Sequence, residues 1–428
     1  MDKSVKRLTL DNGMSLVVAP QKGAQSMTLL ILCKVGSRYE PVELNGASHF
    51  VEHLMFKGTP RRPSTLDISK ELDRYGAEYN AYTGKDLTGY YIKMDASHTH
   101  EAIDLLHDML FHSLYDPKEV DRERTVIIEE IKMYEDNPRD HISDLLESHL
   151  YSGSPLGRNI AGTRQSVAGM SRDDLMAYRD AYYIPSRMTV AISGKIVPGA
   201  LALIRKTFGR VTQPKKPRDL PFACFKQPVA AKQPLALQKK QTEQTQLAMS
   251  FYGFPFGHAD RHTAGLLANI LGGSMSSRLF IEIRERRGLC YAIGAQNESL
   301  EDTGAFTIGM GLEHGRVKEA LRAIYDELNK VTQEPVTKEE LTRAKDQIRG
   351  RLALAFEDSA TRAEWYGRQW LYERKLESPE SRVKLLQKIT AGDIRRVARS
   401  VLNPNRMVLA AIGPEAVPKA FKRIVNWK

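Results

Sequence analysis

Short, mostly apolar runs open two similar stretches of this chain. Ser15-Leu16-Val17-Val18-Ala19 and Leu247-Ala248-Met249-Ser250-Phe251 both read as strands. After each comes a helical stretch, a glycine-punctuated strand region and a long charged segment with helical spacing. The strand regions Thr88-Gly89-Tyr90-Tyr91-Ile92 and Thr303-Gly304-Ala305-Phe306-Thr307 echo each other. So do the charged segments Lys118-Glu119-Val120-Asp121-Arg122-Glu123-Arg124 and Glu339-Glu340-Leu341-Thr342-Arg343-Ala344-Lys345, which run on to Glu135-Asp136 and Glu357-Asp358. Runs of strand followed by runs of helix predict an α+β fold with two homologous domains. Each is expected to carry a mostly antiparallel sheet with helices packed on one face.

Between the copies, Pro214, Pro217, Pro221, Pro228 and Pro234 stand among lysines. Proline removes backbone donors and blocks helix continuation, so 208–241 reads as a linker between an N-terminal domain, 1–207, and a C-terminal domain, 242–428. A length of 428 residues suits two cores of roughly 200 residues each.

Composition narrows the class. Hydrophobic residues at 42% and charged residues at 27% are the balance of a soluble globular protein. The apolar run Met27–Cys33 is far shorter than the roughly 18 residues that span a bilayer, so neither a signal segment nor a membrane anchor is expected. Three scattered cysteines, Cys33, Cys224 and Cys290, argue against a disulfide framework or a cysteine-based zinc site and for a reducing, cytoplasmic setting. The net charge of +11 comes without a phosphate-binding loop or a nucleic-acid module. It reads as a solvated basic surface, with neither nucleic acid nor membrane as partner.

The chemistry concentrates in Asn45-Gly46-Ala47-Ser48-His49-Phe50-Val51-Glu52-His53-Leu54. On a helix, positions i, i+3 and i+4 share a face, so His49, Glu52 and His53 project together. Two imidazoles one turn apart can hold one Zn²⁺, and the carboxylate beside them can act as general base on a water. The order His-x-x-Glu-His is the inverzincin signature. A catalytic zinc needs a third protein ligand. Val126, Ile127, Ile128 and Ile131 predict a largely buried helix, on which Glu123 and Glu130 lie seven positions apart on one face. Glu130 is a candidate third ligand with Glu123 behind it. By geometry alone, Glu129 rivals Glu130.

His49-x-x-Glu52-His53, with Glu130 in the phrase Glu-Arg-x-Val-Ile-Ile-Glu-Glu-Ile, resembles the pitrilysin/insulinase family of zinc peptidases, and among them the bacterial members related to the mitochondrial processing peptidase. Gly157-Arg158-Asn159-Ile160-Ala161-Gly162-Thr163, Asn80-Ala81-Tyr82-Thr83 and Tyr182-Tyr183-Ile184-Pro185 match as well. The family spacing implies Glu130 as the ligand. It assigns Arg284 and Tyr291 to the substrate and Asn80 and Ala81 to an edge strand that takes an extended peptide; Arg286 and Arg287 are alternatives by charge alone. The second copy has no histidine at the equivalent helix, so it is expected to be metal-free, and the pair His258 and His262 reads as a surface accident. Metal helix and Arg284–Tyr291 lie in one chain, which implies a homodimer of zinc endopeptidases acting on short or unfolded peptides. Lys85 stands where relatives often have an acidic residue. The rival readings are a non-catalytic assembly subunit of the same fold and a basic binding protein.

Overall fold

The first sheet of the computed structural model, which describes residues 4–414, contains β1 (Lys6–Thr9), β2 (Ser15–Pro20), β3 (Ser26–Cys33), β4 (Glu78–Thr83), β5 (Thr88–Asp95) and β6 (Met188–Gly194). Their order is β1-β2-β6-β3-β5-β4. The second sheet contains β7 (Leu235–Lys239), β8 (Thr245–Gly253), β9 (Cys290–Ser299), β10 (Gly304–Leu312) and β11 (Met407–Gly413), in the order β7-β11-β8-β10-β9. With β1 set aside, the two orders coincide. One pair in each is parallel, β2–β6 and β7–β11, and the other pairings are antiparallel. This shared topology is what a duplicated α+β domain produces.

The apolar patterns show how each sheet is covered. β3 is buried at every position but its first, because helices lie on both of its faces. Leu29, Ile31 and Cys33 pack with Phe50, Val51 and Leu54, the expected helical layer. Leu30 and Leu32 meet Ala363, Tyr366 and Leu371 on the opposite face. In the second sheet, Leu247, Met249 and Phe251 pack with Leu267 and Ile324, while Ala248 and Tyr252 pack with Ile142, Leu146 and Leu150. Each sheet thus has its helical layer on one face and a single further helix on the other.

Those further helices come from the opposite half of the sequence. Helix Ser359–Glu373 belongs to the unit of the first sheet, built from the described residues 4–131, Arg158–Phe222 and Arg351–Ser381. Helix Pro138–Leu150 belongs to the other unit, built among the described residues from Lys132–Gly157, Ala223–Gly350 and 382–414. The compact units are therefore discontinuous, unlike the contiguous stretches read from the sequence. The amphipathic stripe of a helix shows that it is buried but not against which sheet. Gly367 allows the close approach in the first unit, since a Cβ there would meet Leu32 Cδ1 at 2.9 Å and Ala191 Cβ at 3.3 Å. The stretch 208–241 is also more than a connector: its Leu235-Ala236-Leu237 forms part of β7, paired with β11.

Candidate metal centre

Helix Ala47–Leu54 is short, and its amino end is fixed from outside. Gly46, the residue before it, has φ +101°, and a Cβ there would stand 2.6 Å from the Ala161 carbonyl oxygen, so only glycine suits the position. The buried Glu40 carboxylate accepts from Gly46 N at 2.8 Å, Ser48 N at 2.8 Å and Asn45 Nδ2 at 3.0 Å. Burial pushes its pKa up, while those bonds favour the charged form. A carboxylate at a helix amino end binds otherwise orphaned N–H groups and complements the helix dipole. Phe50, Val51 and Leu54 anchor the helix in the core, which turns His49, Glu52 and His53 to the opposite side.

Helix Pro117–Asp136 supplies the carboxylates. Its buried stripe is Val120, Glu123, Ile127 and Ile131. Val126, expected to be buried, is exposed because it lies about 100° round the helix from Ile127. Glu130 Oε2 is 3.7 Å from His49 Nε2 and 3.6 Å from His53 Nε2. Glu129 is exposed, and the ligand-capable cluster among the described residues is His49, His53 and Glu130, with ligand atoms all within 4.8 Å of one another. A tetrahedral ion with ligand bonds of about 2.0–2.1 Å separates its ligand atoms by about 3.3–3.4 Å, close to what these side chains present.

The donor set fits a zinc site in its chemistry as well. Burial, with the neighbouring His53, holds the His49 pKa down to about 3, so its ring is a neutral nitrogen donor. Glu123 Oε2 lies 3.1 Å from His53 Nδ1, the orienting contact that metal-ligating histidines usually have. The other oxygen of Glu123 is 2.7 Å from Lys57 Nζ. Burial raises the Glu123 pKa, but the bonds to His53 and Lys57 outweigh it and hold the carboxyl below its usual range. Burial pushes Glu52 up, against a bond from Thr83 Oγ1 to its Oε2 at 2.5 Å.

The other sequence-predicted residues fall in two places. Asn80 and Ala81 lie on β4, the edge strand of the first sheet, with the Asn80 side chain accepting from Ala81 N at 2.9 Å. Arg284 and Tyr291 lie in the second unit, where the Arg284 guanidinium sits 4.9 Å from the Tyr291 ring and 4.7 Å from the Phe280 ring. Arg284 belongs to a π-helical turn, Phe280–Arg286, an irregularity common at functional sites. Tyr291 is 76% exposed. The charge alternatives Arg286 and Arg287 are tied to Glu282 at 3.1 and 2.8 Å. His258 stacks on Phe254, and neither it nor His262 joins a metal-capable group among the described residues. Lys85 is buried and donates to the Arg158 carbonyl at 2.7 Å, so it is turned into the fold. No described helix is long and apolar enough to cross a membrane.

The sequence alone gives no role to Glu40, Lys57 or Thr83. Lys57 follows His53 by four positions and Thr83 ends the Asn-Ala-Tyr-Thr phrase, but nothing in the spacing shows what either touches.

Known proteins agree with this architecture. Residues 16–164 match the model of the insulinase family (peptidase family M16), and residues 169–348 match that of the peptidase M16 inactive domain. An uncharacterized zinc protease of Bacillus subtilis is 34% identical over 410 residues, 96% of this chain and 98% of the relative. A protease from Helicobacter pylori has a solved structure with a TM-score of 0.90 at 22% identity, covering 96% of this chain and 99% of that one. A peptidase M16 inactive domain from Pseudomonas fluorescens gives a TM-score of 0.87 at 20% identity, covering 96% and 98%. The chain belongs to the insulinase family, peptidase family M16.

Proposed function

We propose that this chain is a zinc-dependent endopeptidase that hydrolyses short or unfolded peptides. The observation that carries the reading is the convergence of His49 Nε2, His53 Nε2 and Glu130 Oε2, with Glu52 on the same helix, in a chain of a peptidase family. His49, His53 and Glu130 would hold Zn²⁺, which when bound lowers the pKa of a water and polarises the scissile carbonyl. Glu52 takes a proton from the attacking water and delivers it to the leaving nitrogen as the C–N bond breaks. Tyr291 donates a hydrogen bond to the substrate oxygen that gains charge, and Arg284 binds substrate carbonyls. An extended peptide adds to the free edge of β4 at Asn80 and Ala81 by backbone hydrogen bonds. The assembly is a homodimer in the cytoplasm; the free cysteines Cys33, Cys224 and Cys290 suit a reducing compartment.

The rival reading is a non-catalytic assembly subunit. The match to an inactive-domain model covers 169–348, whereas the metal cluster lies within the match to the family's insulinase model, 16–164, and favours the enzyme. Metal analysis of purified protein alongside hydrolysis of quenched peptides decides between them. One zinc per chain and cleavage that chelation abolishes and zinc restores support the peptidase. Protein that takes up no zinc and cleaves no peptide is the assembly subunit.

A further inference from the structure

We infer that Thr83 is a positioning residue for the general base, locking one oxygen of Glu52 so that the other faces the water. This rests on the peptidase reading of the site. Glu52 reaches from helix Ala47–Leu54 and Thr83 from the last position of β4, and the hydroxyl donates to Glu52 Oε2 at 2.5 Å. A carboxylate that can rotate about its last side-chain bond presents either oxygen in a range of directions. One short bond to Oε2 removes that freedom and leaves Oε1 as the proton acceptor. The donor must itself be held still, and β4 is held from both faces. Ala81, on the same face as Thr83, packs in the core that contains Phe50 and Leu54. Tyr82, on the other face, bonds its hydroxyl to Glu364 Oε2 and lays its ring over Gly89, where a Cβ would collide with the ring. β4 is also the edge strand proposed to take the peptide, so the hydroxyl joins the strand that receives substrate to the group that activates water.

Two substitutions separate the hydroxyl from the shape of the side chain: Thr83→Val and Thr83→Ser. Thr83→Val is expected to lower kcat about 10- to 100-fold with KM within about twofold. Zinc affinity by chelator competition and the thermal midpoint stay at wild-type values, and Thr83→Ser recovers most of the rate. Added to Glu52→Gln, Thr83→Val costs nothing more, because the base it positions is gone. An unchanged kcat in Thr83→Val, a Thr83→Ser variant as slow as Thr83→Val, or losses that multiply with Glu52→Gln overturn the inference. If the wild type itself cleaves no peptide, the peptidase reading falls separately. A crystal structure of Thr83→Val then judges the contact: a reoriented Glu52 carboxylate supports the positioning role, and an unmoved one removes it.

Discussion

Glu123 holds His53 in place: its Oε2 lies 3.1 Å from His53 Nδ1 while its Oε1 is 2.7 Å from Lys57 Nζ. The contact fixes the tautomer that turns Nε2 of His53 toward Glu130 and His49. Replacing the carboxylate by an amide leaves one acceptor oxygen for two donors and removes the charge that faces His53 and Lys57. Glu123→Gln is expected to weaken zinc binding about 10- to 100-fold, read by competition with a chelator of known affinity. Affinity equal to wild type would place Glu123 outside the site's support.

The hydroxyl of Tyr291 is expected to act on rate and not on metal. Tyr291→Phe should lower kcat by about 10²–10³, the usual cost of losing a donor to a developing oxyanion, while zinc content stays at one per chain. Steady-state kinetics on a quenched peptide, with metal analysis of the same sample, read both quantities. An unaltered kcat would remove Tyr291 from the mechanism.

Two helical glycines should respond oppositely to alanine. Gly367 faces Leu32 and Ala191 closely, and alanine there must displace the buried Leu32 side chain and crowd Ala191 Cβ, at a cost of about 1–3 kcal/mol that exceeds the helix-propensity gain. Gly265 in helix Arg261–Gly272 has nothing within 4 Å of its would-be Cβ, so alanine there should stabilise by about 0.5–1 kcal/mol. Thermal midpoints shifted down for Gly367→Ala and up for Gly265→Ala are the expected result; a shared direction would contradict the packing described.

The second unit contains an acid-sensitive contact. Arg278 grips Glu340 with two bonds, 2.7 and 2.8 Å, and Thr337 N adds a third at 2.8 Å. The Arg278 bonds, first among the causes, hold the Glu340 pKa down to about 2. A depressed folded-state pKa contributes stability that is complete above the unfolded value of about 4.3 and is lost as pH falls toward 2. Glu340→Gln should therefore cost about 1–2 kcal/mol at pH 7, and the gap from wild type should narrow between pH 5 and 2. Denaturant unfolding at several pH values measures it, and a gap independent of pH would disprove the assignment.

The legible parts of the site are those that local periodicity controls. His49, Glu52 and His53 share a face because helical spacing requires it, and the buried stripe through Glu123 follows the same rule. The choice of Glu130 over Glu129 needed the family resemblance, since a rotation of about 100° separates them and the pattern left both open. Contacts that close through space were hidden. Glu40 reaches the helix amino end across intervening short turns, and Thr83 meets Glu52 across sheet and helix. The same limit explains the exchanged helices: Ala363, Tyr366 and Leu371 announce burial, while their partner, Leu30 and Leu32, lies more than three hundred residues earlier.

The most direct test of the site is Glu52→Gln, which removes the base but keeps a side chain of the same shape. Zinc content and peptide cleavage should be measured on one preparation. One zinc per chain with cleavage lost by a factor of about 10² or more is the predicted result. Cleavage at the wild-type rate with zinc bound would contradict the assignment of Glu52 and, with it, the proposed chemistry.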